Sequence, residues 1–359
     1  MASRTIERYL ARQIYGAVAF VLLGFLGLFA FFDLIHELGD LDKGSYRLRQ
    51  VFEFVILSVP GHAYELFPVV VLIGTLYVLA HLASNSEFTV MRGAGMSPLG
   101  AAAVLARIGI VFVVLTFAIG EWIAPGAEEA AQQLKLRAMS TLIGQEMRSG
   151  LWLKDGHSFI NVREPRQADR LDDLRIYEFD ANDRLLLARA AARADYRGHG
   201  VWRLSGVAQT RFTSAGPTVE HYAQIEWHSA VNPELLSVLL VAPDRMSTYG
   251  LYRYIQHLAG NHQKTERYKI ALWKKLFYPL AVLVMMALAL PFAYMQARSG
   301  MVGVKVFLGI MLGVFYHMLN SLFSHIGLLR NWPPFAAAAL PTAAFLLAAF
   351  AMMWLVERR

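Results

Sequence analysis

No cysteine occurs among the 359 residues, and charge is scarce, with 17% of positions Asp, Glu, Lys or Arg. The first absence excludes disulfides, thiol nucleophiles and thiolate metal sites together. It leaves the compartment open, because oxidising surroundings permit disulfides without requiring them. The second sets the chain apart from soluble domains, which carry about 25% charged and roughly 45–50% apolar residues. Enzymatic signatures are missing too: there is no G-x-x-x-x-G-K-[ST], no H-E-x-x-H and no G-x-S-x-G. A P-loop ATP site and those catalytic constellations are therefore excluded, and the scattered histidines form no ligand pair. No catalytic residue, metal site or cofactor is expected. The first apolar stretch, 17–32, is longer than a signal-peptide h-region and lacks an A-x-A site after it, so it reads as an uncleaved span.

What the sequence has is apolar surface. Hydrophobic residues make up 56% of it and the mean hydropathy is +0.39. They gather into six runs, 14–34, 54–79, 99–123, 270–294, 304–323 and 335–354. Each is near the roughly 20 residues that cross about 30 Å of hydrocarbon. Trp122, Tyr278, Tyr294, Trp332 and Trp354 fall near span ends, where amphipathic rings prefer the interface. Arg4, Arg8 and Arg12 precede the first span, and Arg358 and Arg359 follow the last. Six spans put both termini on one side, and these charges make it the cytoplasm. Lys269, Lys274 and Lys275 run against that bias on the outer side of span four. The net charge of +7 suits anionic lipid headgroups; with no binding module present, nucleic acid is not an expected partner.

The segment between spans three and four contains no spanning run. Its start, 128–147, has helical character and continues span three outward. Beyond it, strands 151–154 and 158–162 flank Asp155-Gly156-His157, a hairpin signal. Further strands are expected at 174–179, 201–204, 209–213 and 222–227. Asn182-Asp183, Gly198-His199-Gly200 and Gly216-Pro217 mark the turns between them. Such a series suggests a β-sandwich or jelly roll. Ser247 is placed to cap a short helix ending near Leu258. The expected fold is an α-helical membrane protein with three spans on either side of an all-β insert. Residues 1–127 hold spans one to three, 128–266 the insert, and 267–359 spans four to six.

Three constellations stand out. The loop 83–98 is more structured than a turn requires. Ser84 and Glu87 have capping-box spacing, Gly93 or Gly95 suits a helix end, and Ser97-Pro98 starts span three. The helix of 84–95 is either an interfacial spacer or a coupling helix whose Glu87, Phe88, Met91 and Arg92 dock onto a cytoplasmic partner. Within spans, Glu65 and Arg107 lie near the middle, with Asp33, His36, Glu37, Glu121 and His317 nearer span ends or later in the bundle. A Glu65–Arg107 pair, a snorkelling Arg107, or a proton relay in a secondary transporter each accounts for the first two. The basic set Lys135, Arg137, Arg267, Lys269, Lys274 and Lys275 at the outer mouth of spans three and four either anchors headgroups or captures a phosphate-bearing lipid.

Several ordered stretches carry a family resemblance. They are Gly44-Ser45-Tyr46, Ser58-Val59-Pro60, Ser86-Glu87 with Val90-Met91, and Ile119-Gly120-Glu121-Trp122-Ile123-Ala124-Pro125. Gly150-Leu151-Trp152-Leu153-Lys154-Asp155-Gly156 and Val201-Trp202-Arg203-Leu204 complete the set. In order and spacing, over nearly the whole length, the chain resembles the lipopolysaccharide-export permeases of the LptF/LptG family, the LptG type more closely. The resemblance implies a non-catalytic subunit in the bacterial inner membrane, with a periplasmic β-jellyroll insert. It implies an LptF-type permease partner, an LptB-type ATPase dimer, an LptC-type membrane-anchored protein and an LptA-type periplasmic bridge. Lipopolysaccharide would be the substrate, in contact with inner-membrane lipids. Glu87 matches the acidic coupling-helix position, with Ser84, Phe88, Met91 and Arg92 around it. Lys135 and Lys275 match basic positions near the cavity mouth, with Arg137 and Lys274 beside them. Acyl chains are expected against Phe25, Phe29, Phe67, Val70, Phe315 and Leu322.

One departure is notable. Where similar proteins carry lysines at the outer ends of spans one and two, this chain has Asp33, Gly39-Asp40 and Gly61-His62. Phosphate contacts then shift to Lys43, Arg47, Arg49 or the span-three and span-four cluster, and a lipid with fewer or masked phosphates also fits. An LptF-type subunit, a proton-coupled transporter and a membrane-anchored scaffold are the alternatives.

Overall fold

The computed structural model describes residues 2–43, 45–146, 151–167, 169–180, 184–213, 216–229, 231, 233, 242–261, 263–294 and 302–358. Among the described residues, six stretches of helix are long and apolar enough to span a membrane. These are α1 (Ala2–Leu38), α2 (Leu48–Ser84), α4 (Pro98–Ala118) with its continuation, α7 (Glu266–Tyr294), α8 (Val302–Leu329) and α9 (Pro334–Glu357). The short α3 (Glu87–Gly93) joins α2 to α4. A π-helical turn, Ile119–Ile123, leads α4 into α5 (Ala124–Glu146), so the third span continues outward as its sequence suggests.

The helices outrun their apolar runs. At 1.5 Å per residue α2 is about 55 Å long, well beyond the roughly 30 Å of a hydrocarbon core. Burial separates two classes of span. In the most apolar stretches of α2 and α7, 72% and 67% of residues are buried, against 6% in α1, 22% in α8 and 17% in α9. α2 and α7 are the spine of the bundle, and the others present apolar faces outward. One shared core runs through Leu10, Ile14 and Val18 of α1, Val70, Leu72 and Leu76 of α2, Leu105 and Ile108 of α4, and Met285 and Leu288 of α7. Small residues set the closest approaches, as expected where dispersion and close backbone contact hold helices together.

The insert is a six-stranded antiparallel sheet in which each strand pairs with the next. Its strands are β1 (Leu151–Asp155), β2 (Ser158–Gln167), β3 (Arg170–Phe179), β4 (Leu185–Gly198), β5 (Val201–Thr213) and β6 (Gly216–His228). Alternation puts Ile160, Val162, Leu174, Ile176, Trp202 and Leu204 into one core. Trp202 is fully buried, and its indole N–H donates to the Val231 carbonyl at 2.8 Å. The β1–β2 hairpin turns at Gly156-His157, where Gly156 has φ +59°. Expected strands 201–204 and 209–213 are one strand, β5, whose Gly206 takes φ +65° between them. β4 was absent from the expected set. Its Leu-, Ala- and Arg-rich sequence favours helix, and pairing with β3 on one side and β5 on the other overrides that preference. The Asn182-Asp183 turn lies outside the described residues.

The chain leaves the sheet through a 3-10 turn, Pro243–Arg245, into α6 (Thr248–Gly260). Ser247 caps α6 as expected, its Oγ accepting from the Gly250 N–H at 3.0 Å.

Two glycines test the packing. A Cβ at Gly74 would stand 2.7 Å from Val18 Cγ2 and 2.9 Å from the Val18 backbone nitrogen, which cannot yield without moving α1. At Gly109 the obstacles are the Leu283 and Met286 side-chain ends, at 2.6 and 2.9 Å. Gly74→Ala is expected to cost about 1–3 kcal/mol and Gly109→Ala distinctly less. Thermal unfolding of the detergent-purified variants measures the difference; equal losses would contradict this packing.

Candidate functional site

At the end of the bundle where α2 gives way to α4, three turns of backbone position α3. α2 closes at Ser84, whose Oγ donates back to the His81 carbonyl at 2.7 Å. The expected Ser84–Glu87 capping box is therefore not formed. Ser86 occupies the N-cap in a left-handed conformation, φ +62°, without a side-chain cap. Glu87 instead reaches across to α1, where its Oε2 accepts from the Tyr9 hydroxyl at 2.7 Å. Of the two candidate glycines, Gly95 adopts the left-handed conformation after the helix, φ +97°. Ser97 Oγ accepts from the Gly100 N–H at 3.0 Å and Pro98 opens α4, as expected.

The side chains of α3 divide into two faces. Phe88 is 3% exposed and packs edge-on against Tyr294 at 5.0 Å, while the Arg92 guanidinium lies over the same ring at 5.0 Å. Phe88 thus seats α3 on the end of α7 and is not free to meet a partner. Met91 is half-buried. The outward face is formed by Thr89 and Val90, with Glu87 at its edge, while Arg92 is exposed on the Tyr294 side; Val90 is 70% exposed. Val90 was missed, although two residues after Phe88 is about 200° around a helix.

Beside Tyr9, a groove of about 750 Å³ opens between α1, α2 and α8, lined by Arg12, Gly16, Phe20, Ile73 and Tyr77 among others. The six acyl-contact candidates split. Phe25 and Phe29 are half-buried on α1, and Phe315 and Leu322 are exposed on α8. Phe67 and Val70 are buried in the core, Phe67 against Phe112, because this part of α2 is packed between neighbouring spans.

The opposite end carries a polar collar. Lys135 Nζ donates to both Glu37 oxygens, at 2.8 and 2.9 Å, and sits 2.9 Å from Asp40. Hydrogen bonds from Lys43 and then Lys135 hold the Asp40 carboxyl below the ordinary range. Tyr46, whose O–H donates to Glu37 at 2.8 Å, is raised by burial and then by that carboxylate. Arg245 bridges Glu128 at 2.8 Å and Glu65 at 3.3 Å. Burial opposes its charge, but the fields of Glu65 and Glu128 outweigh that and raise its pKa. Lys274 faces Asp244 at 3.4 Å. Lys275 is buried, donates to the Met246 carbonyl and lies 5.7 Å from the Tyr64 ring. Asp33 pairs with His62 at 2.6 Å. The Arg137 side chain lies outside the described residues.

Of the alternatives for Glu65 and Arg107, the mutual pair does not form. At 1.5 Å per residue the two stand about 15 Å apart along the bundle. Arg107 pairs with Glu7 of α1 at 2.8 Å and Glu65 with Arg245. The Ile119–Pro125 stretch acquires a structural role. Gly120 lies under Tyr64, where a Cβ would be 2.3 Å from the ring. The π-turn aims Glu121 at the start of α6, where it accepts from the Thr248 N–H at 2.9 Å.

Two three-span groups, a short helix exposed at one end and a β-sheet joined to the other make this a polytopic membrane protein. The family model of the lipopolysaccharide export system permease LptF/LptG matches residues 8–355, and the chain belongs to that family. It is 33% identical over 356 residues to the lipopolysaccharide export system permease protein LptG of Escherichia coli (strain K12), covering 99% of this chain and 98% of that one. The protein of the same name from Haemophilus influenzae is 30% identical over 356 residues, with 99% of each chain covered.

Arg245→Ala would leave Glu128, buried in the collar, without its cation. The expected loss is about 2–3 kcal/mol, between the ranges for exposed and buried pairs, whereas Lys43→Ala at an exposed pair should cost under about 1 kcal/mol. Limited proteolysis of residues 242–249 reads the effect; cleavage at wild-type rates in Arg245→Ala would remove the clamp.

Proposed function

We propose that this permease is the LptG-type half of an ATP-driven exporter that lifts lipopolysaccharide from the inner membrane towards a periplasmic bridge. Family membership along nearly the whole chain carries this reading, and relatives named LptG favour that seat over the LptF-type one. The termini and α3 face the cytoplasm, in keeping with Arg4, Arg8, Arg12 and Arg358, and the β-sheet faces the periplasm. An LptF-type permease covers the open faces of α1 and α8, whose low burial leaves apolar surface to be met. An LptB-type ATPase dimer docks on α3 through Glu87, Val90 and Arg92, and supplies the energy. An LptC-type protein and an LptA-type bridge receive the lipid beyond the β-sheet.

Acyl chains lie along Phe25, Phe29, Phe315 and Leu322 in the cavity shared with the partner permease. Phosphates are drawn to Lys135, Arg137 and Lys274, with Lys275 fixing the wall beneath them. Since Lys135 and Lys274 already face carboxylates, the lipid must exchange its phosphates for those partners, which makes binding sensitive to salt. Arg107 pairs with Glu7 and Glu65 with Arg245, so each of these charged groups has a structural partner of its own.

The experiment is ATP-dependent lipid release to a periplasmic acceptor from the reconstituted complex. Glu87→Ala should lower release roughly tenfold or more, the scale of a lost hydrogen bond to a charged group. The Lys135→Ala/Lys274→Ala double variant should weaken lipid binding. Release that ignores ATP and collapses with the proton gradient would refute the proposal.

A further inference from the structure

The Tyr9–Glu87 hydrogen bond joins two elements that the sequence keeps 78 residues apart. Tyr9 lies in the first turns of α1, the span with the least buried apolar stretch, 6%. α1 meets the bundle through a narrow stripe, Leu10, Ile14 and Val18. At this end it also has polar ties: Glu7 to Arg107 at 2.8 Å and the Tyr15 hydroxyl to the Ile108 carbonyl at 3.3 Å, both on α4. Tyr9 adds a tie to α3, on the carboxylate itself.

That placement has two consequences. A glutamate at the first position of a short helix has many rotamers, and a docking partner would have to freeze them on contact. The phenol holds Oε2 in advance and leaves Oε1 for a donor on the partner. A partner closing over the contact would also exclude water and strengthen the bond, because its acceptor is ionised. Meanwhile Phe88 and Arg92 fix the other side of α3 to Tyr294 on α7. α3 is thus held between α1 and α7, and any tilt of it pulls on both.

We propose that Tyr9 is a positioning residue for the docking carboxylate: it presets Glu87 and ties α1 to the movement of α3. This rests on the reading of α3 as the ATPase-docking helix. Nothing in the inference requires Tyr9 to touch lipid or nucleotide.

The test uses Tyr9→Phe in the full complex with the partner permease and ATPase. The ring and its packing remain, so ATPase co-purification and thermal stability should stay near wild type. Lipid released per ATP hydrolysed should fall about five- to tenfold. In the double variant Tyr9→Phe/Glu87→Gln the ratio should be no lower than in Glu87→Gln alone, because the two side chains act as one unit. Unchanged release per ATP in Tyr9→Phe, with or without a loss of stability, would overturn the positioning role, as would additive effects in the double variant. If Glu87→Ala leaves assembly and coupling intact, the docking reading itself fails, whatever Tyr9→Phe does.

Discussion

Both ends of the molecule are tied to one rod, α2, whose most apolar stretch is 72% buried. At one end α2 turns into α3, which is seated on α7 by Phe88 and Tyr294. Towards the other it carries Glu65, which faces Arg245 in the segment leaving the β-sheet. A buried, close-packed helix transmits displacement instead of absorbing it, because interiors have low compressibility. α1, α8 and α9 are less constrained. Their apolar faces point outward, and in a bilayer such surfaces gain little from lipid relative to a neighbouring helix of good fit. The bundle thus divides into a buried spine and flanks whose apolar faces stay open.

Charge at the sheet-bearing end follows the same economy. Lys43, Lys135, Arg245 and Lys274 each face a carboxylate. Several of these groups are half-buried or deeper, where an unpaired ion is costly. The pairs also define the local shape: Lys135 draws the outer end of α1 onto α5, and Arg245 draws the linker onto α2 and α5. An anion approaching any of these four cations would have to compete with the carboxylate already beside it.

The membrane architecture was legible because long apolar runs admit few structures: a span must satisfy its backbone internally, and only its ends were underestimated. The β1–β2 hairpin, the Ser97 and Ser247 caps and the outward continuation of span three were read from local chemistry. What failed was non-local. β4 has the composition of a helix and is a strand only because β3 and β5 flank it. Glu65 and Arg107 looked like partners by depth, but each found a nearer ion on an element far away in sequence. Phe67 and Val70 were expected against acyl chains but are packed into the core; in a run as apolar as 67–80 the sequence does not mark which face is covered. Glu87 was picked out by its spacing from Ser84 and by the family resemblance, while its bond to Tyr9 has no sequence signal at all.

The same non-local logic explains how the sheet is held to the spans. The π-turn after α4 adds a residue to the helical repeat, which rotates Glu121 towards the start of α6 and lets it cap that helix. At its far end α6 presents Asn261, whose Oδ1 accepts from the Gly156 N–H in the β1–β2 turn at 2.8 Å. Asp155, in the same hairpin, accepts from Ser229 just after β6, so the first and last strands are fixed beside each other's ends. Span three, α6 and the sheet are thereby connected through helix ends and a turn, places where backbone groups otherwise lack partners. A shift of α4 along its axis would reach the hairpin through two capping contacts, with no need to deform the sheet.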